Sequence, residues 1–393
     1  MKLLCLYQVM FQYRVGTYEA MSRLPEVDFE LWHGNDVPNS KLKNYGGDVS
    51  FKRRILPTYR FSGRTNNGGI SVAYHPFLFF RLIKHDPDVI LTEGASSILT
   101  ATVAFLYCKL FGKKLIWWSL GALAGRSSRG ISPIVHRWAE YMECHCNAIF
   151  AYSTQAETFF KGIGVRPERI FKAVNVISTK SKIEAIEKAG TIEKQDGFNV
   201  VFVGAIAKTK RLELLVDAIE ALSKTIPSIK LHIIGDGAYL QIVKDFVSSK
   251  GLEEIVTFHG RVTDGLNVHL AKNQVLVLPG LGGLAIVDGM VSALPIIAGR
   301  ADGTELDLIE NGVNGFVTDT MTKEYIMEKL LYLYQNPEVV ARMGRESYSR
   351  ITGPFSFEHY MNIFSACLKF VLSCKMICRF IIIGSAISCR RRS

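Results

Sequence analysis

The chain has 393 residues, 48% of them hydrophobic and 21% charged, with a formal net charge of +11. That length and balance exclude a disordered chain and predict two folded domains. The eight cysteines are scattered, which excludes a disulfide framework and points to a reducing compartment; no zinc-finger or RNA-binding signature makes nucleic acid a partner.

Strand-like and helix-like segments alternate from the start. "KLLCLYQV" reads as a first strand, because Gln8, Gln12 and Arg14 interrupt the apolar run before it reaches signal-peptide length. "PDVILTEG" (87–94) is a short buried strand, "SSILTATVAFLYCKLFG" (96–112) a helix ended by Gly112, and "KKLIWWSLG" (113–121) another strand. "SPIVHRWAEYMECHC" (132–146) is helical, with Ser132 as N-cap and Pro133 at the first helical position. "NAIFAYS" (147–153) is a strand followed by a short helix. Cys144-His145-Cys146 lacks zinc-knuckle spacing and reads as helix packing. The polar stretch "TKSKIEAIEKAGTIEKQDG" (179–197) is the expected linker.

A second alternation follows. "FNVVFVGAI" (198–206), "IKLHIIGDG" (229–237), "IVTFHG" (255–260), "QVLVLPG" (274–280), "LPIIAG" (294–299) and "NGFVTD" (314–319) read as strands. Between the first two, 210–225 is a helix with Leu212, Leu215, Ile219 and Leu222 on one face. Such alternation means βαβ units and parallel sheets. The expected division is 1–175, a linker over 176–197, a second domain over 198–355, and a C-terminal helix with a basic apolar tail over 356–393. Two doubly wound domains leave a cleft between strand carboxyl ends, where open α/β sheets bind ligands.

The loops at those ends carry the chemistry. "LPGLGGLAIVDGM" (278–290) runs from strand to helix through Gly280, Gly282 and Gly283, which let an anion approach backbone amides, or else only tighten the turn. Asp288, inside the helix, can accept from sugar hydroxyls. "VGAIAKTKRLELL" (203–215) places Lys208, Lys210 and Arg211 in a second strand–helix loop, where cations can neutralise a diphosphate leaving group or simply be solvated. "IIGDG" (233–237) and "HGRV" (259–262) add glycines at two further strand ends. Four such loops in one half suggest a nucleotide diphosphate site.

In order and spacing these segments, together with "GTELDLIENGVNGFV" (303–317) and the stretch 151–178, resemble glycosyltransferase family 4. The resemblance is strong over about 150–355, moderate over 85–150 and weak before that. It implies a GT-B fold, two Rossmann-like domains facing each other across a cleft, and a retaining, hexosyltransferase-type enzyme. It implies that Lys210, with Arg211 beside it, contacts the donor diphosphate, that Gly282, Gly283 and Leu284 hold the diphosphate through backbone amides, that Asp288 grips the ribose, and that Gly235, Arg261 and Val262 lie at the nucleobase. Three positions depart from the pattern: Gly280 stands where a glutamate is usual, Ala205 where an arginine is, and Leu120 where a histidine is. Retaining transfer by same-face attack needs no protein nucleophile, only a stabilised leaving group and a positioned acceptor.

The expected donor is a nucleotide diphosphate sugar, and the expected acceptor a glycan or lipid-linked glycan, as in bacterial surface polysaccharide assembly. Candidate acceptor residues in the first half are Arg14, Glu93, Arg126 and Arg129, with the basic run Lys52, Arg53 and Arg54. No cofactor or metal is expected: Asp86-Pro87-Asp88 has the Asp-x-Asp form but precedes its strand and reads as a surface turn. No Asp or Glu follows Glu358, and the apolar, basic tail beyond about 367 suits an anionic membrane surface. The expected location is cytoplasmic, with peripheral contact to the inner membrane face. The alternative is a non-catalytic GT-B subunit that binds nucleotide sugar without turnover.

Overall fold

A computed structural model describes residues 1–37, 43–65, 68–121 and 133–374. The N-terminal half is built from β1 (Lys2–Tyr7), α1 (Val15–Ser22), β2 (Asp28–His33), β3 (Lys52–Ile55), β4 (Tyr59–Thr65), β5 (Gly68–Tyr74), α2 (Leu78–His85), β6 (Val89–Thr92), α3 (Ile98–Phe111), β7 (Lys114–Ser119), α4 (Pro133–His145), β8 (Ala148–Ala151), α5 (Thr154–Gly162) and β9 (Ile170–Lys172). Seven strands form a parallel sheet in the order β3-β2-β1-β6-β7-β8-β9, and β4 and β5 form a separate antiparallel hairpin. The sequence patterns miss β2, β3 and the hairpin. β3 is a four-residue edge strand with every side chain exposed, so it carries no apolar signal.

The polar linker contains α6 (Lys180–Ala189). The C-terminal half follows as β10 (Phe198–Val203), α7 (Leu212–Ser223), β11 (Ile229–Ile234), α8 (Leu240–Ser249), β12 (Val256–Gly260), α9 (Leu266–Ala271), β13 (Val275–Leu278), α10 (Ala285–Val291), β14 (Ile296–Gly299), α11 (Thr304–Leu308), β15 (Gly315–Thr318), α12 (Lys323–Gln335), α13 (Pro337–Thr352) and α14 (Phe357–Ser373). Its parallel sheet runs β12-β11-β10-β13-β14-β15. Strands such as β10 and β13 are buried along their whole length, as helices on both faces of a parallel sheet require. In α7 the predicted stripe Leu212, Leu215, Ile219 and Leu222 is buried, each side chain worth roughly 1.5–3 kcal/mol.

In each sheet the order reverses beside the first strand: between β1 and β6, and between β10 and β13. Loops leaving adjacent strands in opposite directions open a crevice there. In the N-terminal half the crevice lies between the loop after Tyr7 and Glu93; in the C-terminal half it lies between the loops that carry Lys210 and Gly282.

The last helix returns to the first half. In α14, Tyr360 and Phe364 meet Phe150 at ring separations of 5.3 Å, Phe370 meets Phe171 at 5.3 Å, and Lys114 Nζ donates to the Cys374 carbonyl at 2.7 Å. Leu368 and Val371, expected to begin an apolar anchor, are instead buried in this contact. Residues 375–393 of the tail, Ser132, Arg126 and Arg129 lie outside the described residues. Asp86 pairs with Lys113 at 2.7 Å and Asp88 accepts from the Lys2 amide at 2.8 Å, at the amino end of β6 and away from the crevice. Cys146 and His145 contact the carbonyls of Glu143 and Tyr141 within their own helix turn.

Candidate functional site

The lysine loop leaves β10 at Gly204, makes a 3-10 turn over Lys208–Lys210 and enters α7 through Arg211. Arg211 has a φ of 53°, a strained value for a side-chain-bearing residue, so the turn is held by its surroundings. The Lys210 ammonium donates to the carbonyl of Leu281 in the neighbouring glycine loop, and the Leu281 amide donates to the Thr209 carbonyl at 3.2 Å. Burial holds the Lys210 pKa below the ordinary lysine range, with Asp302 pulling the other way. The Arg211 guanidinium donates to the Met321 carbonyl at 3.1 Å. With Thr209, Pro279, Gly280, Arg300 and Asp319 it lines a shallow pocket beside β13, β14 and β15.

Gly280 explains its own departure from the family pattern. A Cβ there would lie 2.1 Å from the Thr209 carbonyl oxygen and 2.8 Å from the Lys210 Cα. The two loops are laid backbone against backbone, and no side chain, a glutamate included, fits between them. Beyond this contact Gly283 takes a φ of 61° with open space on its Cβ side, so its backbone conformation favours glycine. Among the described residues none accepts a hydrogen bond from the amides of Gly282, Gly283 or Leu284. These three donors stand next to the Lys210–Leu281 contact in sequence and in space. Consecutive unpaired donors of this kind can receive phosphate oxygens.

Asp288 lies one turn into α10, with its side chain 13% exposed, and forms an ion pair with Lys182 of α6. The predicted ribose acid is thus engaged by the linker helix. Lys182 has no signal in the sequence, because it is one of several lysines in a charged run.

Gly235 and Gly237 have a packing cause. A Cβ at Gly235 would fall 1.9 Å from the Gly204 carbonyl oxygen, and one at Gly237 would fall 2.0 Å from that of Ile206. Gly235 donates its amide to the Gly260 carbonyl at 2.7 Å. These close approaches bring the ends of β10, β11 and β12 together. They place Arg261, exposed, and Val262, half-buried, at the rim beyond β12. Ala205 is exposed on the lysine loop.

The first-half candidates fall in different places. Arg14 is 2% exposed. Its guanidinium donates to Asn175 Oδ1 at 3.0 Å and to Tyr152 Oη at 3.1 Å, and stands 4.4 Å from the Trp118 ring centre. It is built into the interior where the chain leaves the first half, with partners of its own. Glu93 ends β6 and accepts from the Gln8 amide at 3.0 Å, bridging the first crevice. Leu120 is half-buried just after β7. Lys52 and Arg54 pair with Asp28 at 2.7 Å and Glu30 at 3.6 Å along the sheet edge, and Arg53 donates to the Tyr45 carbonyl at 3.2 Å.

Sequence reasoning also misses two acids of the segment 303–317. Glu305 is fully buried and accepts from the amides of Ala301, Asp302 and Gly303 at 2.8–3.2 Å, shaping the turn before α11. Asp307 reaches the other half: it accepts from the amide of Thr154 at 2.8 Å and from its hydroxyl, at the start of α5. Arg300 donates to Gln155 at 3.3 Å beside it. These contacts bridge the two halves across the cleft.

Comparison with known proteins agrees with this architecture. The family described as glycosyl transferases group 1 matches residues 183–350. The putative glycosyltransferase EpsD of Bacillus subtilis is 28% identical over 211 residues, 52% of this chain and 53% of that protein. The poly(ribitol-phosphate) alpha-N-acetylglucosaminyltransferase of Staphylococcus aureus is 25% identical over 206 residues, 51% of this chain and 40% of that protein. The chain thus spans about half the length of the curated relatives it matches. HepE of Anabaena, solved in complex with UDP, superposes with a TM-score of 0.69 at 16% identity, covering 95% of this chain and all of that one. That likeness extends the shared fold over 95% of this chain. Residues 183–350 thus match the glycosyl transferases group 1 model, in a chain with the GT-B fold.

Proposed function

We propose that this chain is a retaining glycosyltransferase. It moves a sugar from a nucleotide diphosphate sugar to a glycan or lipid-linked glycan in bacterial surface polysaccharide assembly. One observation carries the reading: the Lys210 loop and the glycine loop are locked backbone to backbone at Gly280, with the ammonium at Leu281 and three unpaired amides immediately beyond it. The group 1 match over the same half supports it, as do relatives whose names describe glycosyl transfer.

The chemistry needs few groups. The bond from the anomeric carbon to the diphosphate oxygen breaks and its electron pair stays on the diphosphate. The acceptor hydroxyl forms the new bond on the same face and passes its proton to the departing phosphate. Lys210 and the amides of Gly282, Gly283 and Leu284 stabilise the charge that develops on the leaving group. Asp288 accepts from the ribose hydroxyls once Lys182 releases it, and Arg261 and Val262 border the base.

Transfer of radiolabelled sugar, with release of nucleoside diphosphate in the absence of acceptor as a second readout, tests the proposal. Lys210→Ala is expected to lower both at least a hundredfold, the scale of one removed oxyanion donor. Undiminished transfer in that variant refutes the role of Lys210. Binding of nucleotide sugars with no turnover in the wild type favours the non-catalytic subunit.

A further inference from the structure

The inner faces of α2, α3 and α4 form one apolar cluster on the N-terminal sheet, through Leu78, Leu82, Ala104, Phe105 and Met142. Their outer faces are apolar as well. Phe77 and Phe80 are 70% and 68% exposed at the start of α2, with Ile83 one turn on. Leu99, Leu106 and Leu110 make an exposed stripe along α3, and Ile134 at the start of α4 is 78% exposed. The helices are adjacent: Phe79 of α2 meets Phe111 of α3 at 6.2 Å, and Trp138 of α4 donates to Thr102 of α3 at 2.9 Å. Isolated exposed apolar residues are ordinary, but a contiguous outer face on three neighbouring helices is not. Phe77 also stands at a φ of 60°, an unfavourable conformation for an aromatic residue that faces solvent.

Charge identifies the occupant. Residues 51–145, from β3 through α4, contain thirteen Lys and Arg against five acids, Asp86, Asp88, Glu93, Glu140 and Glu143, an excess of eight in a chain whose net charge is +11. The first three sit at the ends of β6, where they meet Lys113, the Lys2 amide and the Gln8 amide; on α4, Glu143 is buried and Glu140 pairs with His136 at 3.2 Å. Lys84 and Arg137 are exposed on the same helices as the outer apolar residues. Among the described residues no helix is long and apolar enough to cross a membrane. A broad apolar face framed by cations and short of acids matches the interface of an anionic bilayer, where aromatic and aliphatic side chains enter the headgroup region and Lys and Arg meet lipid phosphates.

We propose that the outer face of α2, α3 and α4 docks this protein on an anionic lipid bilayer. The face shares no residue with the nucleotide loops, so the proposal does not depend on the transfer reaction.

The test is co-sedimentation of the full chain with phosphatidylcholine vesicles, with and without phosphatidylglycerol, at low and high salt. The wild type is expected to sediment with the anionic vesicles and to be released by salt. A Phe80→Ser, Leu110→Ser, Ile134→Ser variant, with folding checked by circular dichroism, is expected to lose about tenfold in affinity for each side chain removed. Lys84→Glu with Arg137→Glu weakens binding to the anionic vesicles alone, and Ile242→Ser, exposed in the other half, leaves it unchanged. A chain truncated after residue 374 keeps its binding. The proposal is overturned if the wild type stays in the supernatant, if both surface variants sediment like the wild type, or if truncation of the tail alone abolishes binding. It is also overturned if light scattering shows a lipid-free dimer that the triple variant dissociates, since the face then belongs to a second copy.

Discussion

Removing Lys182 should tighten nucleotide binding, although it deletes a salt bridge. The Lys182 and Asp288 side chains are 21% and 13% exposed, so their ion pair is only partly screened. Two opposite unit charges 4 Å apart attract by about 4 kcal/mol at an effective dielectric near 20. Desolvation of both groups offsets much of that. When a ribose is held by Asp288, the lysine must leave, and the carboxylate regains hydrogen bonds from sugar hydroxyls worth about 1.5–3 kcal/mol each as charged acceptors. The net release cost is therefore on the order of 1–2 kcal/mol, a factor of roughly 5 to 30 in Kd. Lys182→Met keeps the length of the side chain and removes the charge. Isothermal titration with the cognate nucleoside diphosphate is expected to show tighter binding in this variant by that factor. The same substitution lowers the melting temperature of the free protein, and nucleotide restores it. In an Asp288→Asn background the gain from Lys182→Met disappears, because no carboxylate remains to be freed. Equal or weaker binding in Lys182→Met refutes the latch and makes Lys182 a nucleotide ligand or a bystander.

Gly280→Ala places a methyl group 2.1 Å from the Thr209 carbonyl oxygen, so the lysine and glycine loops must separate. The expected result is a loss of transfer of at least a hundredfold and a destabilisation of about 1–3 kcal/mol, read by turnover and urea unfolding; wild-type turnover in this variant refutes the loop-locking argument. Lys210 predicts an alkaline limb. Its depressed pKa means that the ammonium is lost as pH rises through a value below that of a free lysine, and transfer falls there. The sign for stability is opposite: the buried charge is a burden below the folded pKa, which is relieved as pH climbs toward the unfolded value. Lys210→Arg keeps its charge and should flatten the limb in a pH–rate profile, whatever its absolute rate.

Much of the fold was legible in the sequence because parallel strands buried on both faces are mainly apolar runs, with isolated polar breaks such as Asn199 in β10 and Lys230 and His232 in β11. β6, β7, β8, β10, β11, β13 and β14 all stand out in this way. β3 did not, because Lys52, Arg53, Arg54 and Ile55 are all exposed on an edge, and α6 did not, because none of its residues is fully buried. The glycines were found by type but not by cause. Gly235 and Gly237 are required by backbone contacts with residues about thirty positions earlier in the chain, and Gly280 by a contact with Thr209. Nothing local to any of them distinguishes packing from ligand approach.

By itself the sequence determined the class of this protein: periodicity and turn residues are local, and local patterns specify alternating strands and helices, the stripe on α7 and the strand–loop–helix units that carry Lys210 and Gly282. The tertiary structure alone decided which of these units meet. Strand order put the Lys210 loop against Gly280, the return of α14 buried Leu368 and Val371, and the path of α6 delivered Lys182 to Asp288. Such contacts join residues far apart in the chain, and their energies depend on distances that no run of neighbouring residues encodes.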